Sequence, residues 1–301
     1  MNQRNLNEGL LLALAGFACL TSGDAVIKSI GGQWPGPAVA ALRYCIGAAG
    51  LGIILWVKEG RSGFTIPLPK IQLLRGVSIA FATLAFFLAI FAMPLAEASA
   101  IQFISPMITA LLSALFLHER AGRATWISSA FAFAGVLIIL RPNIFALGWL
   151  ACLPLLAAFG LAFVIIGNRK VAAAGSALQM QFLIAAIAAP ILVLAACAGH
   201  ISGIQSLHVS VPDWTILLRC FIVAITASCS HWLVYLSTTK ASAAHIAPMV
   251  YVQIIVALFV GIAFFGDWPD MTSLAGTIII IGAGVYLWNS KRSPETGRNN
   301  V

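Results

Sequence analysis

The chain has 301 residues, 61% of them hydrophobic and only 9% charged, against roughly 25% charged in a soluble domain. That much apolar surface has no place inside a compact water-soluble fold, so the implied solvent is lipid. The net charge of +8 does not describe a nucleic-acid surface, because the basic residues sit in short links between apolar runs.

A helix needs about 20 apolar residues to cross a bilayer. Ten runs qualify: Gly9–Ile30, Pro37–Val57, Leu73–Met93, Ala98–Leu117, Ala124–Leu140, Leu147–Gly167, Ala177–Ala198, Trp214–Leu236, Ala243–Phe265 and Thr272–Trp288. They are continuous and lack period-two alternation, which excludes a barrel and leaves an all-α membrane protein. The first run has no small-residue cleavage site at a suitable distance, so no cleaved signal peptide is expected. The six cysteines (19, 45, 152, 197, 220 and 229) lie within apolar runs and form no CxxC pair. They read as small buried residues, neither metal ligands nor disulfides.

Placing the N-terminus inside leaves only Lys28, Arg43, Arg141 and Arg219 of the 17 basic residues toward the outer side. Arg75 counts among the inner flanking charges. Both termini are therefore expected in the cytoplasm. The run ending at Glu119 has a weaker copy ending at Asp267, 148 positions later by subtraction (267 − 119). In that register Ser99 meets Ala247, Phe103 meets Tyr251, Met107 meets Ile255 and Phe116 meets Phe264. The ten runs then form two sets of five, residues 1–142 and 143–290, followed by a cytoplasmic tail, 291–301. Five is odd, so the second set runs upside down, with Glu119 inside and Asp267 outside. Secondary transporters often have this inverted repeat, with a watery chamber and solute site near the midplane.

Several stretches resemble one family. TSGDAVIKSI in the first run is similar to a helix-one pattern ending in Lys, here Lys28, although the usual preceding Trp is missing beside Leu20 and Thr21. PGPAVAALRYCIGAAG resembles a Pro-then-Arg pattern at Pro37 and Arg43. Pro106 and Glu119 resemble the signature that closes helix four, and APMVYVQIIVALFVGIAFFGD repeats it with Asp267. Together they resemble the drug/metabolite transporter superfamily, in its ten-helix EamA-type members. The resemblance implies export of small organic solutes across the bacterial inner membrane. Within the family it points to the amino-acid exporters, including the aromatic type. It implies no cofactor and no nucleic-acid partner. The expected partners are a small-molecule substrate and the lipid bilayer, and a duplicated chain supplies both halves of a monomer.

Asp24 is the first candidate site residue. A mid-helix carboxylate costs about 2.5–3.5 kcal/mol on insertion scales, so it faces a partner or water. Lys28 is at i+4 and Arg43 is near the outer end of helix two. Two readings stand: a pair locking the first two helices, or a charged lining that meets substrate or takes a proton. Arg219 snorkels to the outer surface or holds a substrate carboxylate. His231 shares a face with Ser228 and Tyr235, and is a candidate lining or proton site.

Phe86, Phe87, Phe103, Phe159, Phe163 and Tyr251 pack, or line a path. Gln102 and Gln253 lie near the repeat partners Phe103 and Tyr251 and want amide or substrate partners. Ser22 and Thr83 add hydroxyls. Ser105-Pro106 and Ala247-Pro248 are expected to break their helices, and Pro190 to kink one. Glycines 47, 50 and 52, and 276, 282 and 284, allow tight helix packing.

No HExxH, P-loop or paired-carboxylate motif suggests an enzyme or ATP-driven transport. A channel would need a more continuous polar lining, and a receptor a sizeable soluble domain. The expectation is a carrier for neutral or aromatic amino acids, acting as an exporter, with other small solutes or drugs as the alternative.

Overall fold

The computed structural model describes residues 3–116, 123–171, 174–240 and 247–292. Those residues are helical, with no strand among them. They form α1 (Gln3–Lys28), α2 (Gly36–Glu59), α3 (Pro69–Ala92), α4 (Leu95–Gln102), α5 (Ser105–Phe116) and α6 (Arg123–Leu147). Then follow α7 (Leu153–Val171), α8 (Ala177–Ile201), α9 (Trp214–Lys240), α10 (Val252–Val260) and α11 (Met271–Arg292). Among the described residues, six stretches are long and apolar enough to cross a bilayer: Asn7–Lys28, Gly36–Phe64, Pro69–Ala92, Gly148–Asn168, Ala177–Ile201 and Trp214–Val234. Shorter apolar helices cover Trp126–Leu140, Met249–Phe265 and Met271–Tyr286.

The run expected as one helix over Ala98–Leu117 is two helices, α4 and α5, separated by a turn at Phe103 and Ile104. Pro106 has no N–H, so the Gln102 carbonyl loses its i+4 donor, and Ser105 before it is biased away from the α region. The helix restarts with the amides of Met107 and Ile108 both donating to the Ile104 carbonyl. The described part of the ninth run is irregular too. A 3-10 turn, Ala247–Tyr251, leads into α10, and a π turn, Gly261–Phe265, ends it. Gly266 closes that turn at φ +68°, a conformation an L side chain resists.

The chain divides into two compact units, each drawing helices from both sequence halves. One unit contains Gly23–Ala92 and Leu153–Ser228. In it α3 lies against α7 and α8, and α2 against α8. Gly160 lets α7 approach α3 closely; a Cβ there would sit 2.9 Å from the Ser78 carbonyl oxygen. Seven residues on, a Cβ at Gly167 would sit 2.5 Å from Arg75 Cγ. On α1, Gly16 and Gly23 repeat this seven-residue spacing, against Ser230 and Thr226 of α9 respectively.

Arg75 is not a flanking charge. It is 2% exposed, enclosed by α3, α7 and α8. Its Nε–H donates to Asn168 Oδ1 at 2.6 Å, and its terminal nitrogens donate to Gln72 Oε1 and to the sulfur and carbonyl oxygen of Met180. Neutral dipoles thus surround the cation, and among the described residues no carboxylate pairs with it. The ends of this unit are pinned by hydrogen bonds. The Ser176 hydroxyl accepts from the Gln179 amide and donates to Glu59 Oε1 at 2.6 Å. Trp34 Nε1–H donates to the Ser210 carbonyl at 2.9 Å. Arg219 donates to the Ser29 carbonyl and Gln33 Oε1, placing a cation at the carboxyl end of α1 where the helix dipole favours one.

The other unit contains Met1–Ser22, Met93–Cys152 and Cys229–Val301. Here α6 packs along α11, with the backbones of Gly135 and Gly276 in near contact. Further along the same pair, the Ser128 hydroxyl donates to the Ala283 carbonyl at 2.9 Å. Lys240 Nζ meets Glu8 Oε2 at 2.5 Å, tying α9 to α1.

Candidate functional site

Two clusters of sequence-predicted residues form, one in each unit. The first joins α2 and α3. Thr83 and Phe87 are four apart on α3, so they share a face. The Thr83 hydroxyl is 2.9 Å from the Tyr44 hydroxyl of α2. The Arg43 guanidinium lies over the Phe87 ring, 5.5 Å from its centroid, and 5.2 Å from the centroid of Tyr44. Phe87 itself is 1% exposed. A cation over an aromatic face recovers about 0.5–2 kcal/mol, more as water is excluded.

Asp24 on α1 is half-buried and within electrostatic range of Arg43. Arg43 lies beside the two aromatic faces, next to the Tyr44–Thr83 hydroxyl pair.

The second cluster sits at the helix interruptions. The rings of Phe103 and Tyr251 are 5.9 Å apart at 51°. The Tyr251 hydroxyl lies against the α-carbon of Gly284 on α11, in space a Cβ would occupy. Gln102 and Gln253 are half-buried nearby in sequence. The Ser105 hydroxyl, in a residue 5% exposed, has no hydrogen-bond partner. Gly284→Ala is expected to displace Tyr251 and lower the transport rate roughly tenfold or more, since small misplacements at a binding group are costly. Gly282→Ala, with open space around its added methyl, is the control. Initial rates in liposomes check this, and equal rates for the two variants would refute it.

Further expected site residues lie on α1, α7 and α9 and just after the π turn. The Ser22 hydroxyl is spent on the Ala18 carbonyl at 2.9 Å. Phe159 is 42% exposed, Phe163 is half-buried, and His231 is exposed on α9. Asp267 is half-buried, and its amide donates to the Gly261 carbonyl across the π turn. Glu119 and the Tyr235 side chain lie outside the described residues.

Two residues were missed from the sequence. Tyr44, one of only four tyrosines, directly follows Arg43. Glu97, the sole acid between Glu59 and Glu119, is 7% exposed and accepts from the Ser273 hydroxyl at 2.8 Å. An apolar groove of about 490 Å³ between α2 and α8, bordered by Trp34, Cys45, Cys197 and His200, contains none of the expected site residues.

Charged, aromatic and hydroxyl groups held inside apolar helices suit solute recognition, and comparison with known proteins agrees. Residues 7–141 match the EamA-like transporter family. Similarity to known transporters extends over nearly all of the chain. It is 24% identical to an S-adenosylmethionine uptake transporter of Rickettsia bellii, covering 90% of each chain. It is 26% identical to a pseudopaline exporter of Pseudomonas aeruginosa, covering 95% of this chain and 98% of that one. A riboflavin transporter of Rhizobium johnstonii is 26% identical, over 86% and 83% respectively. A crystal structure with 18% identity superimposes at a TM-score of 0.63, covering 95% of this chain and 99% of that one, which shows a shared fold. The coarse function is small-molecule transport through a multi-pass membrane protein.

Proposed function

We propose that this EamA-type protein is a secondary carrier that exports amino acids and related small solutes across the bacterial inner membrane by alternating access. On this reading it has ten spanning helices in two inverted repeats, 1–142 and 143–290, with both termini cytoplasmic, and it works as a monomer. The supporting observation is helical irregularity in both halves. One helix breaks at Phe103 and Ile104, and in the other half a 3-10 turn, Ala247–Tyr251, runs directly into α10. Phe103 and Tyr251 are partners in the 148-residue register. Irregular backbone at membrane depth is tolerated where it is enclosed by protein or lines a water-filled cavity, and paired interrupted helices mark solute sites in inverted-repeat carriers.

The α6–α11 contacts support the same register. Exchanging the halves of the Gly135–Gly276 contact maps it onto Ala283 and Ser128, which are hydrogen bonded. The relatives named above carry different organic solutes, one by uptake and one by export, so the family likeness supports organic-solute transport more than any one substrate. Amino acids come from the chain's length and aromatic-lined helices, which resemble those of the amino-acid exporters, and the outward direction from the resemblance to the superfamily.

Purified protein in liposomes, tested for counterflow with labelled amino acids and a few cationic drugs, examines this. Saturable uptake accelerated by unlabelled solute on the far side is expected. Flux proportional to concentration, without trans-stimulation, would establish a channel instead. Cysteines introduced at 119 and 267 should react with an impermeant reagent from opposite faces.

A further inference from the structure

We propose that the break between α4 and α5 is a sodium site, the ion held by the Gln102 and Phe103 carbonyl oxygens and the Ser105 hydroxyl. The site stands on its own geometry. Its consequence for transport, flux coupled to the sodium gradient, rests on the carrier reading.

Ser105 departs from the other hydroxyls of these helices. Those of Thr21, Ser22, Thr109, Ser228 and Thr277 each donate to the carbonyl four residues back. Ser105 is 5% exposed, and its hydroxyl oxygen is sealed from solvent with no hydrogen-bond partner. A buried polar group left in that state is costly, and a ligand that satisfies it recovers the cost.

Main-chain oxygens beside it are also unsatisfied. The amides of Phe103 and Ile104 close the last turn of α4 on the Ser99, Ala100 and Ile101 carbonyls. The Gln102 carbonyl has lost its donor to Pro106. The Met107 amide, which would serve Phe103, turns to Ile104 instead. Among the described residues no hydrogen bond reaches the Gln102 or the Phe103 carbonyl. Three free oxygens therefore fall within residues 102–105.

The sign of the ligand follows. The freed carbonyls are the negative pole of α4. The opposing positive pole, the first turn of α5, is already spent. Pro106 has no N–H, and the Met107 and Ile108 amides both donate to Ile104. Phe103 and Tyr251 add ring faces, which attract cations. A single charge is implied as well. Divalent ions are bound through carboxylates, and Glu97, the acid of α4, accepts from Ser273 instead. Among the described residues no cluster of three or more acidic, histidine or cysteine side chains could hold a metal ion. Broken helices at membrane depth bind sodium through carbonyls freed in this way, and the short span between these ligands suits a small ion. All of these groups belong to one compact unit.

The test is melting of the purified full-length protein in detergent, without solute, as sodium chloride replaces choline chloride at constant ionic strength. Melting should rise and saturate, gaining about 3–6 °C at about ten times the sodium Kd, because the folded protein alone binds the ion. Ser105→Ala should weaken sodium about tenfold or more, since even a group behind a ligand is commonly worth that much. Pro106→Ala supplies the missing N–H to the Gln102 carbonyl and should abolish the response. Thr277→Val, whose hydroxyl is spent on the Ser273 carbonyl, should respond as wild type does.

No sodium response in wild type, or one that potassium reproduces at equal concentration, overturns the site even where a variant fails to fold. An undiminished response in Ser105→Ala and Pro106→Ala overturns it too. Sodium binding without counterflow would keep the site and refute the carrier. Counterflow indifferent to sodium, with no sodium-dependent melting, would keep the carrier and refute the site.

Discussion

Gly276→Leu is expected to lower the melting temperature by roughly 6–12 °C, or to leave the protein aggregated on extraction. The reason is that α6 and α11 touch through backbone. A Cβ at Gly276 would lie 2.7 Å from the Gly135 carbonyl oxygen and 2.6 Å from Ile139 Cγ1. The carbonyl belongs to a helix and cannot rotate away, so the helices must separate. Separation also stretches the hydrogen bond from Ser128 to the Ala283 carbonyl. Overpacking commonly costs about 1–3 kcal/mol, and a branched four-carbon side chain against backbone belongs at or above the top of that range. For a chain of this size each kcal/mol shifts melting by about 2–4 °C. Gly282→Leu is the control, since nothing lies within 4 Å of a Cβ there. Melting of the Gly276 variant within about 2 °C of wild type would show that the contact is not tight.

The second large effect concerns Arg75, and its direction is counterintuitive. Asn168→Leu is expected to destabilise the protein more than Arg75→Met. Removing Asn168 leaves the guanidinium buried without its 2.6 Å acceptor, a hydrogen bond of the charged kind worth about 1.5–3 kcal/mol. Removing the charge leaves a methionine to fill the aliphatic path past Gly167, and Gln72 and Asn168 are left as neutral amides. Replacing a buried charge by an apolar side chain of similar shape is often close to neutral, whereas stripping its partner is not. Thermal unfolding of the two variants and the double variant checks this. The double variant should melt close to Arg75→Met. If Arg75→Met is the less stable of the two, the dipole cage contributes more than the burial of its charge costs.

Much of the fold was readable because lipid imposes simple demands. Long apolar runs must be helices, and six of those expected are present as long apolar stretches. The proline breaks were readable as well, because a missing N–H is a property of the residue and needs no tertiary information. Arg75 was misplaced because it lies two residues inside an expected span, where a sequence alone cannot separate a flank from a core. Its burial depends on Gly167 and Met180, on helices that follow far along the chain.

The site divides along the same line. Asp24 and Arg43 were conspicuous as charges in apolar runs, yet whether they touched depended on the packing of α1 against α2. Thr83 and Phe87 were found as types, but their partner Tyr44 was not, since a tyrosine inside an apolar helix is ordinarily packing.

The seven-residue spacing of Gly160 and Gly167 has a mechanical consequence. Seven residues advance about 10 Å along a helix and return within about 20° of the starting azimuth. The α3–α7 contact is therefore a seam and not a point, smooth because both bumps have been removed from one side. Two rods touching along a seam slip lengthwise more easily than they tilt, so motion between them belongs to the shear type. The bond from Arg75 to Asn168, at one end of that seam, is placed to act as the stop that limits the slip.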